Sequence, residues 1–210
     1  MTAGYRPEPM IRPERTSVNS PDLVHTPRYL TDWSTGTITG PGVESSERRL
    51  RDLAGVFADV EAFAAADPSR LVYRTACVFP LADGTEGGLF WGTTFVEPGL
   101  VGDEYHMTKG HFHAKADRAE TYLTYTGTGF LLLMSRDRRC WAEQMTAGST
   151  HFIPPETAHR TINTGDDVLA FGASWPSDAG HDYASIAANG FAARVRRVDG
   201  TPRLIAENAS

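Results

Sequence analysis

From residue 70 onward, short runs of aliphatic, β-branched and aromatic residues are separated by turn punctuation. The breaks fall at Asp83-Gly84, Gly87-Gly88, Pro98-Gly99, Gly127, Asp137, Gly148, Pro154-Pro155 and Gly165-Asp166. Runs of this length suit a pleated surface, and the residues between them suit tight turns. The pattern predicts strands near 70–79, 88–96, 104–113, 120–126, 128–135, 139–145, 150–153, 159–163 and 168–175. A short helix near 183–189 follows, then a hairpin turning at Asp199-Gly200. Ahead of the strands the period changes. Leu50, Leu53, Phe57, Val60 and Ala64 recur at three and four, with Ser45 or Ser46 as a cap and Asp67-Pro68 as a stop. Residues 46–66 therefore read as one amphipathic helix. Residues 1–21 hold four of the 13 prolines and no periodicity, and read as an extended arm, disordered or laid across a partner subunit. The expected organisation is an arm over 1–45, a flanking helix over 46–69, a β domain over 70–199 and a tail over 200–210.

Composition narrows this picture. Twenty Gly and 13 Pro in 210 residues fit an all-β barrel or sandwich better than a helical bundle. With 26 acidic against 20 basic residues, the net charge of −6 argues against nucleic acid as a partner. The longest strongly apolar stretch, Phe130–Met134, is five residues and cannot span a bilayer, so no membrane partner is expected. The first 20 residues lack the apolar core of an export signal, and Cys77 and Cys140 form no CxxC pair. Two reduced, buried thiols in a soluble cytoplasmic protein is the expectation.

The chemistry concentrates in Thr108–Tyr122. His111 and His113 are two apart, which on a strand puts both imidazoles on one face. The segment Ala114–Arg118 can turn the chain and return Glu120 on the next strand, and His159 opens a later one. Three imidazoles and one carboxylate make a borderline N/O donor set that suits iron(II), manganese, nickel, zinc or cobalt. A six-coordinate ion so held keeps two positions open for neighbouring substrate oxygens. A histidine pair at this spacing is also common on solvated strand faces, so the pattern around it has to carry the assignment.

That pattern resembles the first cupin motif, since Gly127 follows Glu120 with six residues between. The second motif is present as Gly148, Pro154, His159 and Asn163, with Glu156 standing where Gly is usual. Six residues separate His113 from Glu120, where the general cupin pattern has three or four. This longer spacing, in KGHFHAKADRAETY (Lys109–Tyr122), is similar to that of the cupin-type phosphoglucose isomerases. Pro154-Pro155 with Ala158-His159-Arg160-Thr161, and Asp178–Tyr183 (DAGHDY), resemble further segments of the same family, so that roughly residues 70–195 are covered in order.

The resemblance implies a cupin barrel, a homodimer, and one divalent ion, iron(II) first, on His111, His113, Glu120 and His159. It implies a sugar-phosphate substrate, its phosphate near Thr94, Thr108, Gly110 and Tyr73, with Tyr122 and Tyr183 lining the sugar pocket. Where the family usually has Tyr before Pro176, this chain has Trp175, which stacks and donates but cannot accept. The implied reaction interconverts glucose 6-phosphate and fructose 6-phosphate, with Glu120 as the candidate base. A hydride shift in which Glu120 only ligates or moves a hydroxyl proton remains the competing route. Lys109 should point away from Thr108 and Gly110 on a regular strand. His25, His106 and His151 read as surface or strand-end histidines, and His181 as a pocket or structural residue in equal measure. Phe90, Trp91, Phe95, Phe130, Phe152 and Phe171 read as barrel core, and Arg194, Arg196 and Arg197 as a solvated face. Two rival functions stay open: a metal-dependent cupin oxygenase or decarboxylase, and a non-catalytic sugar-phosphate-binding cupin.

Overall fold

The computed structural model describes residues 25–207, so the arm over 1–21 lies outside the described residues. A small ribbon of β1 (Leu30–Thr31) and β2 (Ile38–Thr39) leads into β3 (Val43–Arg49). A 3₁₀ turn (Leu50–Leu53) and helix α1 (Val60–Ala65) precede β4 (Leu71–Val78) and β5 (Leu89–Val96). Two short strands follow, β6 (Leu100–Val101) and β7 (Glu104–Tyr105), and then β8 (Glu120–Thr126), β9 (Thr128–Ser135) and β10 (Cys140–Thr146). The chain continues through β11 (Thr150–Ile153), β12 (Thr157–Asn163), β13 (Leu169–Pro176), α2 (Ala184–Asn189), β14 (Ala193–Val198) and β15 (Thr201–Ala206).

Six strands form one sheet in the order β11-β8-β13-β5-β4-β3, all antiparallel. The opposing wall is β10-β9-β12, joined through bridges at Met107↔Ile162 and His111↔His159 to the segment that follows β7. Beyond it lie β14 and β15, whose hairpin turns at Asp199 (φ 49°) and Gly200 (φ 76°) as expected for Asp-Gly. The run Phe130–Met134 owes its continuity to burial on both faces. Leu131 and Leu133 pack inside the barrel with Val96, Met145, Ile153 and Phe171, while Leu132 and Met134 pack outward against Leu53, Phe57 and Val195.

Two expected elements differ. The helix over 46–66 is absent: β3 pairs with β4 from Val43↔Val78 to Arg49↔Leu71, and α1 is six residues capped by Asp59, whose carboxylate accepts from the Ala62 N–H at 2.8 Å. Leu50, Leu53 and Phe57 are buried together, but a 3₁₀ turn suffices for that, and Gly55 at φ +79° breaks any helix between them. The strand over 104–113 is regular only at Glu104–Tyr105. Between the bridges at Met107 and His111 the segment has one residue more than β12 opposite it, which makes a bulge with Gly110 at φ +73°.

Some bland readings also change. His106 and His151 are buried rather than at the surface: His106 Nδ1 meets the Glu97 carbonyl at 3.1 Å, and His151 bonds Glu143 and Ser149. Arg194 is no solvated side chain, since it donates to the wholly buried Glu104 at 2.7 Å. Phe152 is exposed, and the two free cysteines are only half-buried.

Candidate metal centre and substrate cavity

Three chain segments bring the four proposed ligands together. Reciprocal bonds, His111 N–H to the His159 carbonyl (3.3 Å) and His159 N–H to the His111 carbonyl (3.1 Å), set these two residues opposite each other. Their rings lie 4.4 Å apart, centroid to centroid. Glu120 starts β8, returned by the 114–119 loop. That loop is clamped by Asp178, which accepts from Arg118 Nε and Nη2 (both 2.9 Å) and from Lys115 Nζ (2.7 Å). The Arg118 carbonyl in turn accepts from His113 Nδ1 at 2.8 Å and so aims His113 Nε2 into the barrel. One donor atom from each of His111, His113, Glu120 and His159 lies within 4.8 Å of all the others.

The donor set fits a cation. His113 Nε2 and His159 Nε2 stand 3.1 and 3.2 Å from the same oxygen, Glu120 Oε2. His159 Nε2 is buried and has no hydrogen-bond partner. Two ring nitrogens converging on one buried carboxylate oxygen need positive charge between them. Burial and the neighbouring imidazoles hold His111 well below the usual histidine range, so its lone pair is free. Burial opposes ionisation of Glu120, but its bond to His113 and the His159 ring close beside it outweigh this and hold the carboxyl below its ordinary range. Burial likewise works against charge on His113, and the Glu120 bond prevails, raising it.

The cluster opens into a cavity of about 240 Å³. Tyr73, Thr94, Thr108, Gly110, Tyr122, Trp175 and Tyr183 all line it, together with the four histidine and glutamate residues. Burial pushes the Tyr73 phenol up to about 12 and, with Glu120, raises Tyr122 well above the usual value, so both stay protonated donors. Thr108 Oγ1 accepts from the Thr161 N–H at 3.0 Å, which leaves its own hydrogen for a ligand. Trp175 stands edge-on to Phe79 and Phe90 at 6.5 and 6.2 Å.

The cavity also contains residues the sequence reading missed. Ser46, Arg48 and Thr75 line it from β3 and β4; the alternation of Ser46 and Arg48 along a strand was the available signal, masked by the helical reading. Lys109 lines it too, because the bulge turns Thr108, Lys109, Gly110 and His111 successively inward. Its Nζ lies 4.7 Å over the Tyr183 ring. His181 takes the pocket role, with its ring 4.4 Å from His111 and stacked on Tyr183. Cys77 likewise lines the cavity instead of filling the core.

A family model described as glucose-6-phosphate isomerase (GPI) matches residues 47–206. The chain belongs to that family. A glucose-6-phosphate isomerase of Thermococcus onnurineus is 41% identical over 177 residues, 83% of this chain and 90% of its own length. That of Pyrococcus furiosus is 40% identical over 178 residues, 83% and 91% of the two chains. Among solved structures, Bacillus subtilis oxalate decarboxylase overlaps 52% of this chain and 26% of its own, at a TM-score of 0.40 and 20% identity. The sheets described above are those of the cupin barrel expected for this isomerase family.

Proposed function

We propose that the chain interconverts glucose 6-phosphate and fructose 6-phosphate, using a divalent metal ion held by His111, His113, Glu120 and His159. One observation carries this reading: a single cavity joins a three-histidine, one-carboxylate cluster to an array of phosphate donors, in a chain of the isomerase family. The hydroxyls of Thr94 and Thr108 and the Gly110 N–H donate to the substrate phosphate, and Arg48 and Lys109 offset its charge. When bound, the ion supplies Lewis-acid stabilisation to oxygens on the substrate's first two carbons.

The chain's own residues carry the proton. Glu120, held ionised, moves the carbon-bound proton between C2 and C1, the hydroxyl proton passes between O1 and O2 of the enediolate, and Tyr122 and Tyr73 stay protonated as donors. Burial of the cluster excludes bulk water from the developing enediolate. Turnover of fructose 6-phosphate in D₂O is expected to place deuterium at C2 of the product; no incorporation would assign a hydride shift instead. The reading as a whole is tested by a coupled assay with metal analysis of the same sample. Full activity in metal-free protein, or no turnover at any metal loading, would overturn it.

Iron(II) is the first choice of ion for this donor set, with manganese, nickel, zinc and cobalt suited to the same ligands. We infer a homodimer, which sedimentation of the full chain would check. A cytoplasmic location belongs to the same proposal; among the described residues no helix is long and apolar enough to cross a membrane.

A further inference from the structure

A second cavity, of about 100 Å³, adjoins the first and shares Lys109, Gly110 and Tyr183 with it. Its remaining walls come from Arg160, Arg194, the Ala54–Val56 turn and α2. Arg160 is the unusual member. It is 4% exposed and forms no salt bridge among the described residues. Its Nη2 donates to the Lys109 carbonyl at 2.6 Å, its Nη1 meets Met107 Sδ at 3.2 Å, and its Nε has no partner. The guanidinium lies 4.7 Å from the Phe191 ring centre. Burial, with Arg194 adding to it, lowers its pKa to about 10, which still leaves it charged at neutral pH.

The surrounding charges do not cancel. Glu104 is wholly buried and takes Arg194 Nη1 at 2.7 Å, so that pair is balanced. Arg194 Nε has no hydrogen-bond partner, with the Glu207 carboxylate 3.5 Å away. Arg160 and Lys109 form no ion pair among the described residues; Glu104 acts on Arg160 only through space and is already engaged by Arg194. A buried charge without an ion-pair partner is costly, and a small cavity walled by Lys109, Arg160 and Arg194 with no carboxylate among its lining residues is matched by an anion rich in oxygen. The volume is less than half that of the substrate cavity, enough for a tetrahedral oxyanion and too small for a sugar phosphate.

We infer that this cavity is a second anion site, for inorganic phosphate or a comparable small dianion, distinct from the substrate phosphate cradle. An anion there touches the other side of the Thr108–Gly110 bulge and repels the substrate's phosphate across the shared Lys109. Phosphate at this site therefore raises KM for the sugar phosphate and leaves kcat unchanged.

Equilibrium dialysis of the metal-loaded full chain with radiolabelled inorganic phosphate is the test. Two phosphates per subunit are expected, of which excess fructose 6-phosphate displaces one. Arg160→Met should weaken the remaining one at least about tenfold, the loss of a charge-assisted bond. Ala187→Trp, at the exposed mouth on α2, should block it without altering any charge, and keep KM in phosphate-free buffer within about twofold. Thr108→Val should instead abolish the displaceable phosphate and spare the other. A single phosphate wholly displaced by fructose 6-phosphate would overturn the inference, as would two fructose 6-phosphates per subunit, or a second phosphate unaffected by Ala187→Trp. The stoichiometry is readable whether or not the protein turns over sugar phosphate, so failure of the isomerase reading is a separate result.

Discussion

Single side chains at the centre owe their roles to their immediate partners. Glu120 is ionised because His113 and His159 outweigh the cost of burying it. Glu120→Gln keeps the shape and removes the charge; kcat should fall by at least about 10²-fold while fructose 6-phosphate still binds, measured by steady-state kinetics and calorimetry. Asp178 acts at one remove. It holds Arg118, whose carbonyl orients His113, so Asp178→Asn should weaken metal affinity by roughly 10–100-fold in competitive chelator titrations. Hydrogen bonds from Arg118, then from Lys115, depress the Asp178 carboxyl below its ordinary 3.8. A depressed carboxyl adds stability that is full above its unfolded value and lost as pH falls below it. Thermal melts should therefore show the variant less stable at neutral pH, with a shallower loss of stability below about pH 4.

Two elements depart from regular geometry or from the expected pattern, and both serve the cavity. The bulge before His111 depends on Gly110, where φ is +73° and a Cβ would stand 2.8 Å from the Phe191 ring and 3.0 Å from Arg160 Nε. Gly110→Ala should cost about 1–3 kcal/mol in denaturant unfolding and raise KM for the sugar phosphate, because the bulge cannot hold its shape. The edge strand β3 places Arg48 in the cavity, opposite Tyr73 on β4. Arg48→Gln should raise KM about tenfold with kcat nearly unchanged, the signature of a group that binds the phosphate equally in ground and transition states.

Across the whole molecule, the four proposed ligands tie the start of β8 in one sheet to β12 and the 108–113 segment in the other. An ion bound only by the folded chain adds stability by mass action, about 4 kcal/mol at a thousandfold excess over Kd. Chelation should lower Tm by on the order of 10 °C, and His159→Gln should remove that dependence on metal, as read by calorimetry. Most strands from β4 onward were legible in the sequence because each is a short apolar run between turn residues, a local signal that needs no partner to be seen; β6 and the irregular 106–113 segment were not. The proposed ligands and the Thr94, Thr108 and Tyr183 cavity residues were legible as positions matching the family's motifs. The segment 46–66 was not, because Leu50, Leu53 and Phe57 share burial in a 3₁₀ turn as well as they would in a helix, and pairing with β4 overrode the local period. Residue order and spacing by themselves thus pointed to a barrel of turn-punctuated strands, and the match to the family's motifs singled out the proposed ligands, since both are written in local pattern. Only the tertiary structure decided that Arg48 and Lys109 enter the cavity and that Arg160 is buried without an ion-pair partner, because strand pairing, the bulge and burial arise between segments distant in sequence.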